Sequence, residues 1–415
     1  MSATDAGATF WRPSYSDEPH PFLAENRVAE PLRRGVLEGV PVWLVSRYED
    51  VRRLLADPSL SNDARNAGPA ARAVPWVQAD NPHPLIRHLV RVDPPEHTRL
   101  RKLLTSTFTA RRVAGLRPGV EQTAGKLADR ILPAGHADLM SEFALPLSFT
   151  VIADLLGVPA TAREQFLHWA GVYVRDVTRR GEAVTQLAGY LGQLIARRRT
   201  LRPASDGGPV ETEEGDLVDG LLAVRDEGGR LSHDELLSLV FLLLIAGSET
   251  TASLIGNGLL ALMHDPAQFA ALRADPARLG TAVEEFLRFD GPVKISPALR
   301  FTTADIEVAG TVIPAGETVV LFLSAANRDP ARFPRPATLD IGRDSSGHLG
   351  FGHGAHYCLG APLARIEAHA GFATLLTRFD NLALGPGDPV WRHSFQLHSL
   401  AALPVTFSPV PVAGR

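Results

Sequence analysis

The sequence has a single cysteine, little net charge and no long apolar run, and each shortage closes off a class of protein. One cysteine in 415 residues, Cys358, permits no internal disulfide, which fits a reducing cytosol better than a secretory route. A net charge of −4 leaves no electrostatic footprint for nucleic acid or for an acidic substrate. The N-terminal stretch from Met1 to Pro21 is polar and lacks the charged-then-apolar layout of a signal sequence. The longest apolar stretch, Leu236 to Gly247, falls short of the roughly 20 residues that a bilayer crossing takes. No internal repeat appears, and no linker divides the chain. What is present is 45% hydrophobic residues, enough for a large core. The expectation is a soluble, cytoplasmic, monomeric protein of one domain, residues 1–415, without nucleic-acid or membrane partners.

The pattern predicts a mainly α protein with a minor β-sheet region. Val40 to Val45 reads as a strand and Arg47 to Ala56 as a helix. Ser61 to Pro95 is mostly loop, and helical periodicity dominates from Arg99 to about Arg199. Leu201 to Asp216 is polar and rich in Pro and Gly, an exposed loop. Ser232 with Glu235 makes a capping box. It opens a helix to about Met263, roughly 45 Å long at 1.5 Å per residue. Alternating residues from Ala298 to Leu323, with a turn at Pro314-Ala315-Gly316, predict a small sheet. A last helix starts near Cys358 and ends near Phe379.

The stretch around the cysteine, Phe351-Gly-His-Gly-Ala-His-Tyr-Cys358-Leu-Gly360, carries the most chemistry. Gly352 and Gly354 allow a tight turn. Cys358 then stands at the mouth of a helix, where free N–H groups and the positive dipole end favour a thiolate. Gly360 lets the backbone approach a large flat ligand. On these residues alone three readings stay open: an inert buried thiol, a zinc site with His353 and His356, and a thiolate held against another metal. Zinc would want a fourth close ligand, and there is no second cysteine. There is also no Cys-x-x-Cys-His for covalent haem attachment.

The same ten residues resemble the haem-binding signature of the cytochrome P-450 superfamily, Phe-x-x-Gly-x-x-x-Cys-x-Gly. The run from His348 to Arg365 is similar to its soluble bacterial members. The resemblance implies the P-450 fold, with a b-type haem (heme b) between the long central helix and the cysteine-loop helix. Cys358 would be the axial iron ligand, with Phe351 packed beside the sulfur. Ala246-Gly247-Ser248-Glu249-Thr250-Thr251, in the long helix, resembles the family's oxygen-activating motif. It implies catalytic roles for Thr250 in oxygen activation and Glu249 in proton entry, with Ala246 and Gly247 against the haem. A mid-helix Gly costs about 1 kcal/mol relative to Ala, so Gly247 wants a reason.

Glu285 and Arg288, spaced i, i+3 on one helix face, match the family's buried Glu-x-x-Arg. Arg343, in Leu339-Asp-Ile-Gly-Arg343, is the candidate third member, although Leu339 stands where the family commonly has Phe. His97 and Arg101, spaced i, i+4, together with Arg300 and His356, occupy the family's propionate-holding positions. The order of these motifs follows the family over nearly the whole chain, with the closest likeness to actinomycete enzymes that tailor polyketides and other natural products.

The implied function is a monooxygenase that inserts one oxygen atom from O2, by hydroxylation or epoxidation, into a bulky and mostly hydrophobic substrate such as a polyketide or macrolide. The implied substrate contacts are Leu242, Ile295, Ser296, Ala298, Phe395 and Gln396, with Arg87 and Arg175 as polar anchors. No flavin or iron–sulfur segment is present, so electrons would come from a ferredoxin and a ferredoxin reductase. Arg99, Lys102, Arg111 and Arg112 offer a basic docking face. Two alternatives are an oxidative C–C or C–N coupling enzyme and a non-catalytic haem-binding or small-molecule-binding protein of the same fold.

Overall fold

The computed structural model describes residues 19–29, 32–74, 77, 79–80, 85, 87–176, 178–201, 216–226 and 231–410. The polar loop expected at Leu201 to Asp216 lies almost wholly outside the described residues, and so does the side chain of Arg175. The helices that build the site are α1 (Pro19–Ala29), α2 (Tyr48–Leu55), α3 (Glu96–Thr107), α4 (Arg117–Ile131), α5 (Leu145–Leu155), α6 (Arg163–Arg175), α7 (Arg180–Leu201), α8 (His233–His264), α9 (Leu279–Asp290) and α10 (Ala361–Arg378).

The capping box closes as expected. The Glu235 N–H donates to the Ser232 hydroxyl at 3.1 Å, and the Ser232 N–H donates to the Glu235 carboxylate at 2.8 Å. The helix it opens, α8, runs unbroken for 32 residues, about 48 Å. It packs against α5, α7, α9 and α10, and α10 packs in turn on α4. Every residue from Thr251 to Leu260 is buried. Close packing there depends on missing side chains: a Cβ on Gly258 would come within 2.7 Å of Phe372 and 2.9 Å of Phe286. By length and composition α8 is a helix able to cross a membrane, but 61% of its most apolar stretch is buried against the rest of the protein.

The sheet is larger than the local pattern predicts. β1 (Leu32–Leu37), β2 (Val40–Val45), β3 (Leu60–Ser61), β5 (Arg300–Thr302) and β8 (Thr318–Leu321) make one five-stranded sheet in the order β1-β2-β8-β5-β3. β4 (His136–Asp138) belongs elsewhere, and β6 (Ile306–Val308) pairs only with β7 (Thr311–Ile313) as a hairpin. The unexpected bond is parallel: Val45 opposes Leu321 and Trp43 opposes Val319. Val42, Leu44 and Val320 pack into one apolar cluster, while Trp43, Val45, Val319 and Leu321 pack into another. Burial on both faces explains why these strands are continuously apolar instead of alternating. The C-terminal strands β9 (Phe379–Leu384), β10 (Val390–Trp391), β11 (Leu400–Ala402) and β12 (Pro404–Pro409) were not anticipated; β12 bridges β4 and β9.

Candidate active site

The cysteine loop is held in a fixed turn. Gly352 and Gly354 have φ of 74° and 76°, in the left-handed region that glycine tolerates. The Cys358 N–H donates to the Phe351 carbonyl at 2.9 Å. Helix α10 begins three residues later with Pro362 in its first turn. Backbone N–H groups of Gly360 and Ala361 donate to the sulfur. A Cβ on Gly360 would meet only that sulfur, at 3.8 Å.

Cys358 is solvent-exposed, yet protein surrounds it closely. Burial therefore pushes its thiol up, against the pull of the two N–H groups and of Arg101 and Arg365. The N–H groups at the helix mouth thus pull towards the thiolate while burial opposes them, and a cation held at the sulfur would add to their pull.

Behind the loop, Glu285 receives a complete set of donors. Arg288 grips it bidentately at 2.6 and 2.7 Å. The Ser345 hydroxyl donates at 2.6 Å and the Asp340 N–H at 3.0 Å. Arg343 adds its Nε at 3.2 Å, so the third member is in place and Leu339 is buried beside it. Arg288 also donates to the carbonyls of Asn327 and Pro336. The Asn327 side chain in turn accepts from the Leu349 N–H, at the entrance to the cysteine loop.

A second brace was missed by the sequence reading. Glu284 accepts from Arg365 at 2.6 and 2.8 Å and from His348 at 3.0 Å. His348 Nδ1 accepts from the Gly350 N–H, so its Nε2 is the donor. Although burial raises Glu284, Arg365 and His348 hold it down at about 2. Arg365 also lies 4.6 Å over the Phe351 ring. The only local signal was that Glu284 adjoins Glu285 and that Arg365 ends the motif run.

Four basic side chains converge beside this loop. The rings of His97 and His356 sit 4.0 Å apart. Burial, then His97, Arg300 and Arg101, lowers His356 to about 3, and burial lowers Arg300 to about 10. His97 and Arg101 are lowered as well, again chiefly by burial. Both ring nitrogens of His97 and the Nε of Arg300 are buried without a hydrogen-bond partner among the described residues. Buried polar atoms of this kind are costly unless a partner arrives, and the Arg300 Nε in particular needs an acceptor. The set fits two carboxylates on a flat group whose metal meets Cys358, which is the donor pattern of a haem.

The middle of α8 opens where its flanks are closed. Ala246 is exposed, and Leu242, Glu249 and Thr250 are half-buried, all at i, i+4, i+7, i+8 spacing on one face. The Thr250 hydroxyl donates to the Ala246 carbonyl at 2.6 Å, one turn back along the helix. The Glu249 carboxylate faces the Ser399 hydroxyl at 3.4 Å and the Arg392 guanidinium at 3.9 Å. Gly247 has a packing reason: a Cβ there would lie 2.6 Å from Ile152 of α5.

The proposed substrate contacts divide. The Lys294 N–H donates to the Gln396 carbonyl, and the Gln396 side chain donates to the Pro297 carbonyl, so the segment after α9 and the Phe395-Gln396 turn are brought together. Ile295, Ser296 and Ala298 are nevertheless buried, and the Ser296 hydroxyl is spent on the Ala298 carbonyl. Arg87 is no free anchor, because Asp63 and Glu96 hold it. On the basic face, Arg99 is neutralised by Glu235, whereas Lys102 and Arg111 are exposed.

Comparison with known proteins gives a consistent result. The family model described as Cytochrome P450 matches residues 165–404. Vitamin D(3) 25-hydroxylase of Pseudonocardia autotrophica is 44% identical over 406 residues, 97% of this chain and 95% of that protein. Cytochrome P450 monooxygenase PikC of Streptomyces venezuelae is 44% identical over 409 residues, covering 97% and 94%. The crystal structure of the myxobacterial cytochrome P450 CYP267B1 with myristic acid superimposes with a TM-score of 0.86. It is 39% identical, with 96% of this chain and 98% of that chain covered.

Proposed function

The chain belongs to the cytochrome P450 family and is a haem-thiolate monooxygenase, and from that premise we propose that it oxidises a bulky, mostly apolar natural product of the polyketide or macrolide kind. The haem, when bound, supplies the redox chemistry that places one atom of O2 in the substrate, and its thiolate ligand promotes O–O cleavage. Everything else is work for this chain's own residues. Cys358 ligates the iron, while His97, Arg101, Arg300 and His356 hold the two carboxylates. Glu285, Arg288 and Arg343 keep the loop in position. Glu249 carries protons from the Ser399 side towards Thr250, whose hydroxyl passes them on by leaving the Ala246 carbonyl. Leu242 and Ala246 present an apolar wall to the substrate, with the Phe395-Gln396 turn at its edge.

The observation that carries this reading is that Glu249 and Thr250 share a half-open face of the long helix with Leu242 and Ala246, directly before a stretch, Thr251 to Leu260, that is buried throughout. A protein that only stored haem would have no use for it. Relatives whose names mention vitamin D(3) and myristic acid accord with a long apolar substrate. We further propose that a ferredoxin and its reductase supply electrons through the face around Lys102 and Arg111. The protein acts as a cytoplasmic monomer and as one domain over residues 1–415.

The test is turnover with a surrogate ferredoxin and reductase on a panel of macrolactones under isotopically labelled O2. The expected product gains one labelled oxygen atom, and Thr250→Ala and Glu249→Gln lower product formed per electron consumed. An unlabelled, cross-linked product would identify oxidative coupling instead. Absence of electron consumption with every compound, despite the far-red-shifted Soret band of the reduced carbon monoxide complex, would leave a binding protein.

A further inference from the structure

Away from the cysteine loop, three segments distant in sequence bring ligand atoms together. His20 is the second residue of α1, Asp290 the last of α9, and His398 lies just before β11. One ligand atom from each can be chosen so that all three lie within 4.8 Å of one another. His20 Nε2 stands 2.7 Å from Asp290 Oδ1, and His398 Nε2 stands 3.4 Å from the same oxygen. We propose that His20, Asp290 and His398 form a binding site for a divalent transition ion of the zinc type.

The donor set suits that ion. Two imidazole nitrogens and one carboxylate oxygen are borderline ligands that zinc takes readily, leaving a fourth position for water. The open side is a cavity of about 660 Å³ whose wall includes all three residues together with His264, Asp265 and Arg328. It provides an access route and room for that water.

The side chains are also largely preset. His398 is 3% exposed, and its ring stacks on Trp391 with centroids 3.9 Å apart and planes at 10°. Its N–H donates to the Pro292 carbonyl, and its carbonyl accepts from Asn257. The His20 ring meets the His398 ring edge-on, with centroids 6.0 Å apart and planes at 83°, which fixes its orientation in the cluster.

Among the described residues of the cavity wall, Arg328 is the one opposing charge. It lies 4.0 Å over the Phe289 ring and donates to the Phe289 carbonyl, which keeps it engaged. Binding turns each Nε2 lone pair towards the ion and moves the ring proton to Nδ1. In His20 that Nδ1 is buried and unpartnered among the described residues. The 2.7 Å contact has to widen to about 3.3 Å, the edge of a tetrahedron with bonds of about 2.0 Å. An ion here would tie the N-terminal helix to the end of α9 and to the turn that carries Phe395 and Gln396.

The test uses tag-free, haem-loaded protein, stripped with a chelator and titrated calorimetrically with Zn²⁺. One equivalent should bind with micromolar or tighter affinity and raise the thermal midpoint. His398→Ala and His20→Gln should each weaken that binding at least tenfold. Glutamine can still donate to Asp290, so His20→Gln keeps a hydrogen-bonded clasp and removes the ligand; an unchanged carbon monoxide spectrum shows that each variant is folded. No saturable uptake by the wild type, or equal uptake by His20→Gln, would overturn the site and leave a clasp with adventitious surface binding only.

Discussion

Removing one arginine from the Glu285 cage should cost far more than removing the other. Arg288 and Glu285 are both 0% exposed, and Arg343 is 9% exposed. Arg288→Met deletes both short bonds to Glu285 and the donors to the Asn327, Pro336 and Thr338 carbonyls, leaving a buried carboxylate with Arg343 as its remaining cation. Breaking such a pair costs about 3–5 kcal/mol, because the orphaned charge keeps its desolvation penalty. Arg343→Met deletes the longest bond to Glu285, at 3.2 Å, and donors to the Pro334, Arg335 and Thr338 carbonyls.

Glu285 still keeps Arg288, Ser345 and the Asp340 N–H, so the loss should be about 1–3 kcal/mol. A gap of about 2 kcal/mol is roughly thirtyfold in the folding equilibrium. Urea unfolding followed by circular dichroism measures it, with the far-red carbon monoxide band reporting how much haem each variant retains. If Arg343→Met proved as costly as Arg288→Met, the view that Glu285 is neutralised mainly by Arg288 would be wrong.

Glu367, 1% exposed, is raised well above its ordinary value of 4.5 by burial, opposed only by the nearby Ser148 hydroxyl. Its raised value means the stabilising proton is fully present below the unfolded value and lost as pH rises through the folded one. Glu367→Gln should therefore raise the thermal midpoint more at about pH 8 than at about pH 5, and a pH-independent difference would refute the assignment. Gly258→Ala forces a Cβ against Phe372 and Phe286 and should cost about 1–3 kcal/mol in urea unfolding; a neutral result would mean that the α8–α10 contact yields easily. Ser232→Ala opens the capping box and should cost about 1 kcal/mol. Amide exchange in the first turn of α8 should then rise selectively.

Features written into a short stretch of chain were legible. Ser232 and Glu235 announced the start of α8, because a capping box needs only four neighbouring residues. Gly352 and Gly354 announced a turn, because the left-handed backbone is nearly glycine's alone. The resemblance then attached a haem to Cys358 and named Arg343, which the geometry joined to Glu285 despite the Leu339 departure. Less legible were the parallel pairing of β2 with β8 and the C-terminal strands. The pairings of β2 with β8 and of β12 with β4 join residues hundreds of positions apart, and strands such as β2 and β8, buried on both faces, lose the alternation that would mark them. Substrate residues were the poorest inference, since lining a cavity is a matter of orientation: Ser296 has a suitable hydroxyl that turns back on its own chain.

What the sequence determined was the chemistry, and it did so through motif order: the cysteine loop alone left three readings open, and its resemblance to a known family, together with the acid–threonine pair in the long helix, closed two of them. Only the tertiary structure decided the electrostatics. Whether Cys358 is a thiol or a thiolate depends on desolvation against the summed pull of N–H groups and arginines from separate elements, a balance that no local pattern encodes. The same holds for His97 against His356, for Glu284 between Arg365 and His348, and for His20, Asp290 and His398. Each group's charge is set by what folding brings within a few ångströms of it, and sequence separation carries no record of that distance.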